Sequence, residues 1–189
     1  GSEMCIRDRF NNIYCNRYDN SGNEVQSFKV PISYGPKEKF LARLEGDPKL
    51  ENKVAIVLPR MSFEMIGFNY DSTRKFNSLN KIVSKVGSQT SYGYQPIPYD
   101  IQFELAIMVK NAEDGTFIVE QILPYFGPNF TLSAKLIPEY DVNYDIPINI
   151  NTVNLQDTYQ GSFEQRRAII WTLQFTMKGW FFGPTKPAT

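Results

Sequence analysis

Apolar and polar positions alternate over a long stretch near the end of the chain, RRAIIWTLQFTMKGWFFGP at residues 166–184. Ile169, Trp171, Leu173, Phe175 and Met177 fall on one side, and Ile170, Thr172, Gln174, Thr176 and Lys178 on the other. A period of two is the mark of a half-buried strand. The stretch is therefore predicted to be a long strand with one face on the core and the other open to water or a partner. Gly183 and Pro184 end it, by turn preference and loss of a backbone donor.

The same pattern recurs upstream. Residues 10–18 and 24–34 read as strands around the turn-rich DNSGN, which makes a hairpin with a loop. KEKFLARLEG then places Phe40, Leu41 and Leu44 on one helical stripe between Pro36 and Gly46. A strand follows Pro59 through Met61, Phe63 and Met65. Residues 71–98 have no sustained period and read as an extended arm, partly paired as strands. PYDIQFELAIMVKN at 98–111 is a second clean strand. After a turn at AEDGT, FIVEQILPYF has the spacing of a helix ending near Tyr125 and Phe126. Strands at 130–136 and 145–151 precede the final one. The sum is an α+β fold, a largely antiparallel β-sheet with two main helices packed on one of its faces, in a single domain over 10–184. Residues 1–9, GSEMCIRDR, are expected to be a foreign or artefactual N-terminus, and 185–189 a short tail.

Composition narrows the chemistry. The 189 residues hold 20 basic and 20 acidic side chains and no histidine. Balanced charge gives no field to gather nucleic acid or an anionic membrane, and imidazole-based triads and relays are excluded. Of Cys5 and Cys15, the second falls in a strand and is expected to be a buried, reduced thiol; no disulfide, zinc site, other metal or cofactor is expected. Glu113 with Asp114, and Glu139 with Asp141, are the acid pairs open to carboxylate catalysis, each in a turn or edge where solvation is the ordinary state. DVNYD at 141–145 has the opening of a calcium loop without its glycine or closing glutamate. There is no phosphate-binding glycine loop.

The candidates for an interface are aromatic or basic. Trp180, Phe181 and Phe182 run across both faces of a strand end, so at least one ring cannot point inward. Tyr125 and Phe126 close the second helix. Arg166 and Arg167 begin the last strand on opposite faces, and two readings stand: a buried or intersubunit carboxylate pair made by one of them, or a solvated strand end. Trp171→Ala is expected to cost about 3–5 kcal/mol as a core truncation.

Four segments in order, VPISYGPKEKFLARL at 30–44, VLPRMSFEM at 57–65, VEQILPYFGPNF at 119–130 and RRAIIWTLQFTMKGWFFGP at 166–184, resemble the tail-sheath stabiliser, or tail-completion, proteins of T-even-type contractile-tailed bacteriophages. The resemblance implies a tail-terminator-like fold and a virion protein without catalytic residues. It implies a homo-hexameric ring on the head-proximal end of the tail, meeting tail tube, tail sheath and neck proteins, with DNA passing through unbound and no membrane contact. Assembly would take place in the host cytoplasm. Members usually carry a helical segment before the first strand, where GSEMCIRDR stands here, and some extend further at the C-terminus. Two other classes remain open on the residues alone: a carbohydrate- or peptide-binding β-rich module using surface aromatics, and a carboxylate hydrolase.

Overall fold

The computed structural model describes residues 8, 10–46, 57–77, 79–86, 89–127, 130–135, 143–158, 168–183 and 186–187. Its strands are β1 (Tyr14–Tyr18), β2 (Glu24–Lys29), β3 (Ile32–Tyr34), β4 (Arg60–Tyr70), β5 (Lys81–Val86), β6 (Gln89–Tyr94), β7 (Ile97–Val109), β8 (Phe130–Lys135), β9 (Asn143–Thr158), β10 (Ala168–Phe181) and β11 (Lys186–Pro187). The helices are α1 (Lys37–Gly46) and α2 (Ala112–Ile122), with short 3₁₀ turns at Ser72–Arg74 and Leu123–Phe126.

Six strands form the main sheet in the order β3-β4-β7-β10-β9-β8. All its pairs are antiparallel except β3 with β4. The α+β reading with a largely antiparallel sheet holds. The long C-terminal strand is central, as its pattern requires: β10 pairs with β7 from Ile169↔Val109 to Phe181↔Ile97, and with β9 on its other side. Ile169, Leu173, Phe175 and Met177 are buried with Phe63, Phe103, Leu105 and Ile107 under Ile118 and Ile122 of α2. The β1–β2 hairpin adds Cys15 to this core.

The helices do not share a face. Phe40 of α1 is buried with Ala106, Met108 and Ile170, the residues that alternate with the main core positions. Residues 105–109 of β7 are apolar at every position, and a strand covered on both faces reads as a continuous run rather than an alternation. The second face of β10 is thus closed by α1 at Ile170 and polar further on. There Glu104 takes an ion pair from Lys37 at 2.9 Å and a hydrogen bond from Gln174.

Several boundaries also differ from expectation. Phe10 is helical rather than extended, and the stretch 24–34 is divided at Pro31, whose missing N–H cannot continue a ladder. β2 stays with β1, while β3 crosses to pair in parallel with β4. Gly35, at φ 146°, turns the chain from β3 into α1 in a region that favours glycine. AEDGT is the first turn of α2 and not a loop: Asn111 stands extended before it and Glu113 and Asp114 lie where the helix dipole favours acids. Gly115 misled the reading because glycine weakens a helical pattern. It is there for packing, since a Cβ at this position would lie 2.6 Å from Trp171 Nε1 and 3.0 Å from Val109 Cγ2. The arm at 71–98 contains the β5–β6 hairpin, which β11 extends to three strands.

Candidate interaction site

Beyond Lys178 the final strand leaves the region covered by the helices, and its alternation sends the aromatics to different neighbours. Trp180 lies on the α1 side of the sheet and stacks on Phe76 at 5.1 Å between ring centroids. The Arg74 guanidinium sits 4.9 Å above the same indole, a cation–π arrangement suited to a ring of this size. Arg74 donates to Asp71 at 2.7 Å and to Asp100 at 2.9 Å, and Lys178 Nζ lies 3.5 Å from both carboxylates. Asp71 also accepts from the Thr73 backbone N–H, closing the Ser72–Arg74 turn. Hydrogen bonds from the Thr73 hydroxyl and the Arg74 side chain hold the Asp71 carboxyl well below the usual carboxylate range. Two acids, two bases and two rings thus clip the start of the 71–98 arm to the sheet.

Phe181 points to the α2 side, where no helix reaches it. Its ring contacts Tyr99 at 5.2 Å and Phe68 at 5.7 Å, and Tyr70 packs edge-on to Tyr99. Phe68, Tyr70 and Phe181 are each 44–48% exposed, which makes this end of the sheet an aromatic surface rather than a core. Phe182 is half-buried against Tyr144 at 5.3 Å.

The other sequence candidates divide similarly. Tyr125 is exposed, whereas Phe126 belongs to the core, 4.7 Å from Phe175 and 6.1 Å from Phe10. Between them opens a cavity of about 170 Å³ lined by Phe10, Phe103, Phe126, Phe130 and Phe175. Arg166 and Arg167 lie outside the described residues. Sequence reasoning passed over Asp71, Arg74 and Phe76, because the arm shows no period, and Asp100, because its strand was read for its core face. The available signal was local: an Asp two residues before a Thr N–H donor is a turn former in its own right.

Glu113 and Asp114 are not brought together as a catalytic dyad. Asp114 is buried and ion-paired to Arg17 at 2.7 Å, while Glu113 is exposed. Their neighbour Cys15 is fully buried and unbridged. Burial, and then the Asp114 charge, push its thiol up to about 11, so it remains protonated at neutral pH. The pair Glu139 and Asp141 lies outside the described residues, and Asp145 accepts a hydrogen bond from the Ser133 hydroxyl. Among the described residues no three His, Cys, Asp or Glu side chains converge as a metal site, and no helix is long and apolar enough to cross a membrane.

Residues 6–189 match the family model of the T4-like virus Myoviridae tail sheath stabiliser. The chain belongs to this tail sheath stabiliser family. It is also 32% identical over 189 residues to the tail completion protein gp15 of Enterobacteria phage T4, with 96% of this chain and 69% of that protein covered. The family match begins at residue 6, inside the segment 1–9 that the sequence alone set aside as foreign.

Proposed function

We propose that this tail sheath stabiliser acts as a homo-hexameric ring, a single domain over 10–184 repeated six times, which caps the head-proximal end of the contractile tail. It would end tube and sheath growth there and join the tail to the neck, assembling in the host cytoplasm before entering the virion. The reading rests on membership of the family across nearly the whole chain and on the relative named for tail completion. Its role is non-enzymatic, which agrees with Asp114 being used in an ion pair with Arg17.

The physical requirements of such a ring are met by features of the chain. A closed ring uses two different patches per subunit, each meeting the other on the next copy. The aromatic surface at Phe68, Tyr70 and Phe181, exposed in the single subunit, would supply one such patch. Balanced charge allows many copies to pack without strong self-repulsion, and gives DNA passing through the ring no strong field to bind. Contacts to tube, sheath and neck would be individually modest and multiplied by valency.

Light scattering of the purified protein over a concentration range, alone and after mixing with tail tubes, tests the proposal. A hexamer mass, or a hexamer equivalent bound at tube ends, is expected. A monomer in solution that also fails to bind tube ends refutes it.

A further inference from the structure

Two strands of the main sheet run beyond their outer neighbours. β8 pairs with β9 only as far as Phe130↔Ile148, and β3 pairs with β4 only at Met61, Ser62 and Phe63. Among the described residues no strand pairs with the outer edge of β9 from Asn149 to Gln156 or of β4 after Phe63. A bulge at Asn151 in β9 and another at Ile66 in β4 leave Thr152–Gln156 and Gly67–Tyr70 as the regular parts of these edges. Uncovered edges present rows of N–H and C=O groups that template a further strand. Natural edges are blunted by lysine, proline or inward charge, and neither regular segment contains a lysine or a proline.

The side chains beside the two edges match. Val153 and Leu155 oppose Leu173 and Trp171, so they stand on the α2 side of the sheet, 38% and 54% exposed. Phe68 and Tyr70 oppose Ile101 and Tyr99, on that same side, and are half exposed. Strand direction also agrees. β4 and β10 run the same way and β9 runs against both, so a second copy's β4 laid beside β9, with its sheet facing the same way, is antiparallel to it.

From these observations we infer that the outer edge of β9 at Thr152–Gln156 pairs with the outer edge of β4 at Gly67–Tyr70 of a second copy of this chain. The main sheet then continues from subunit to subunit, and Val153 and Leu155 of one copy lie against Phe68 and Tyr70 of the next. Neighbouring side chains on one face of such a ladder are close enough to pack directly. The contact is heterologous and uses each edge once, so it suits a ring; the inference rests on the ring reading above.

The test uses the full chain with Cys5→Ser, so that Cys15, which is buried, is the remaining native thiol. Val153→Cys or Leu155→Cys in one preparation is mixed with Phe68→Cys or Tyr70→Cys in another, and oxidised or treated with a short bis-maleimide. Cross-linked dimer is expected in a mixture of the two kinds and not in either alone. Leu155→Lys is expected to raise the concentration needed for assembly by more than about tenfold while leaving the melting temperature of the dissociated subunit unchanged. If light scattering shows assembly but no mixture cross-links, the edge pairing is wrong and the ring survives. If Leu155→Cys cross-links with itself, a two-fold pairing replaces the proposed one. If the parent protein assembles neither alone nor on tail tubes, the ring reading has failed and takes this contact with it.

Discussion

The covered stretch of β10 and its C-terminal end both carry large apolar side chains, in opposite surroundings. From Ile169 to Met177 the strand is covered by α2 and the β1–β2 hairpin on one face and, at Ile170, by α1 on the other. From Lys178 onward neither helix covers it, and Phe181 is left 44% exposed while Trp180 stacks on Phe76 beneath Arg74. The contrast teaches that hydrophobicity along a strand measures a demand for cover, and the elements beside it decide whether that cover comes from the same chain.

The largest effect should come from emptying the covered half. Phe175 is 1% exposed and touches Phe10 and Phe126, so Phe175→Ala is expected to cost about 3–5 kcal/mol in urea denaturation. Phe181→Ala should change monomer stability by less than about 1 kcal/mol and should act on assembly instead. Equal losses of monomer stability would mean that both halves belong to one core. Trp171 is only half-buried, so Trp171→Ala should cost less than Phe175→Ala, and less than the burial pattern alone implied.

The next effect concerns what ties the hairpin to the covered half. Arg17 on β1 holds the buried Asp114 of α2, and its loss leaves a carboxylate without its cation beside Cys15. Because Arg17 is itself partly exposed and water can follow, the expected cost of Arg17→Ala is about 1–3 kcal/mol rather than that of a fully buried pair. Calorimetry should show it, and Asp114→Asn in the same background should recover part of the loss.

Gly115→Ala tests the closeness of α2 and β10. Alanine would gain about 1 kcal/mol in helix propensity, but its Cβ would meet Trp171 and Val109 at distances that require movement. Overpacking of that kind costs about 1–3 kcal/mol, so a net loss is expected. Adding Trp171→Phe should relieve it. A stabilised Gly115→Ala single variant would show that helix and strand can separate freely.

The alternating strands β4, β7 and β10 were legible because each places one face on a core, and a period of two then survives in the sequence. The layering was not. Residues 105–109 and 169–170 are apolar at successive positions, and such a run says that both faces are covered without saying by which helix. α2 was found but begun too late, since Gly115 is selected by its contact with Trp171, a partner that is distant in sequence. At the candidate site, the rings of the WFF run were visible and their separation to two faces followed from alternation. What sequence could not supply was the Arg74 clip, whose members come from three elements without a shared pattern. The use of Phe126 as core was hidden for the same reason.

The smallest effect is a local one, and pH reaches it. Asp71 has its carboxyl lowered from an ordinary 3.8 by the Thr73 hydroxyl and by Arg74. A group depressed on folding contributes stability that is complete above its unfolded value and is lost as pH falls through the folded one. Acidification should therefore leave the clip intact through the range where solvated carboxylates take up protons, and loosen it only below. Asp100 faces the same guanidinium, and Lys178 lies against both carboxylates. In a Trp171→Phe background only Trp180 emits, and its fluorescence should hold steady to below pH 3.8 and change as Phe76 and Arg74 leave the ring. Asp71→Asn should show the loosened emission already at neutral pH, with little change in the melting of the core. A Trp180 signal that titrates at the ordinary carboxylate value would mean that Asp71 is solvated and that the exposed half of β10 holds its arm by ring stacking alone.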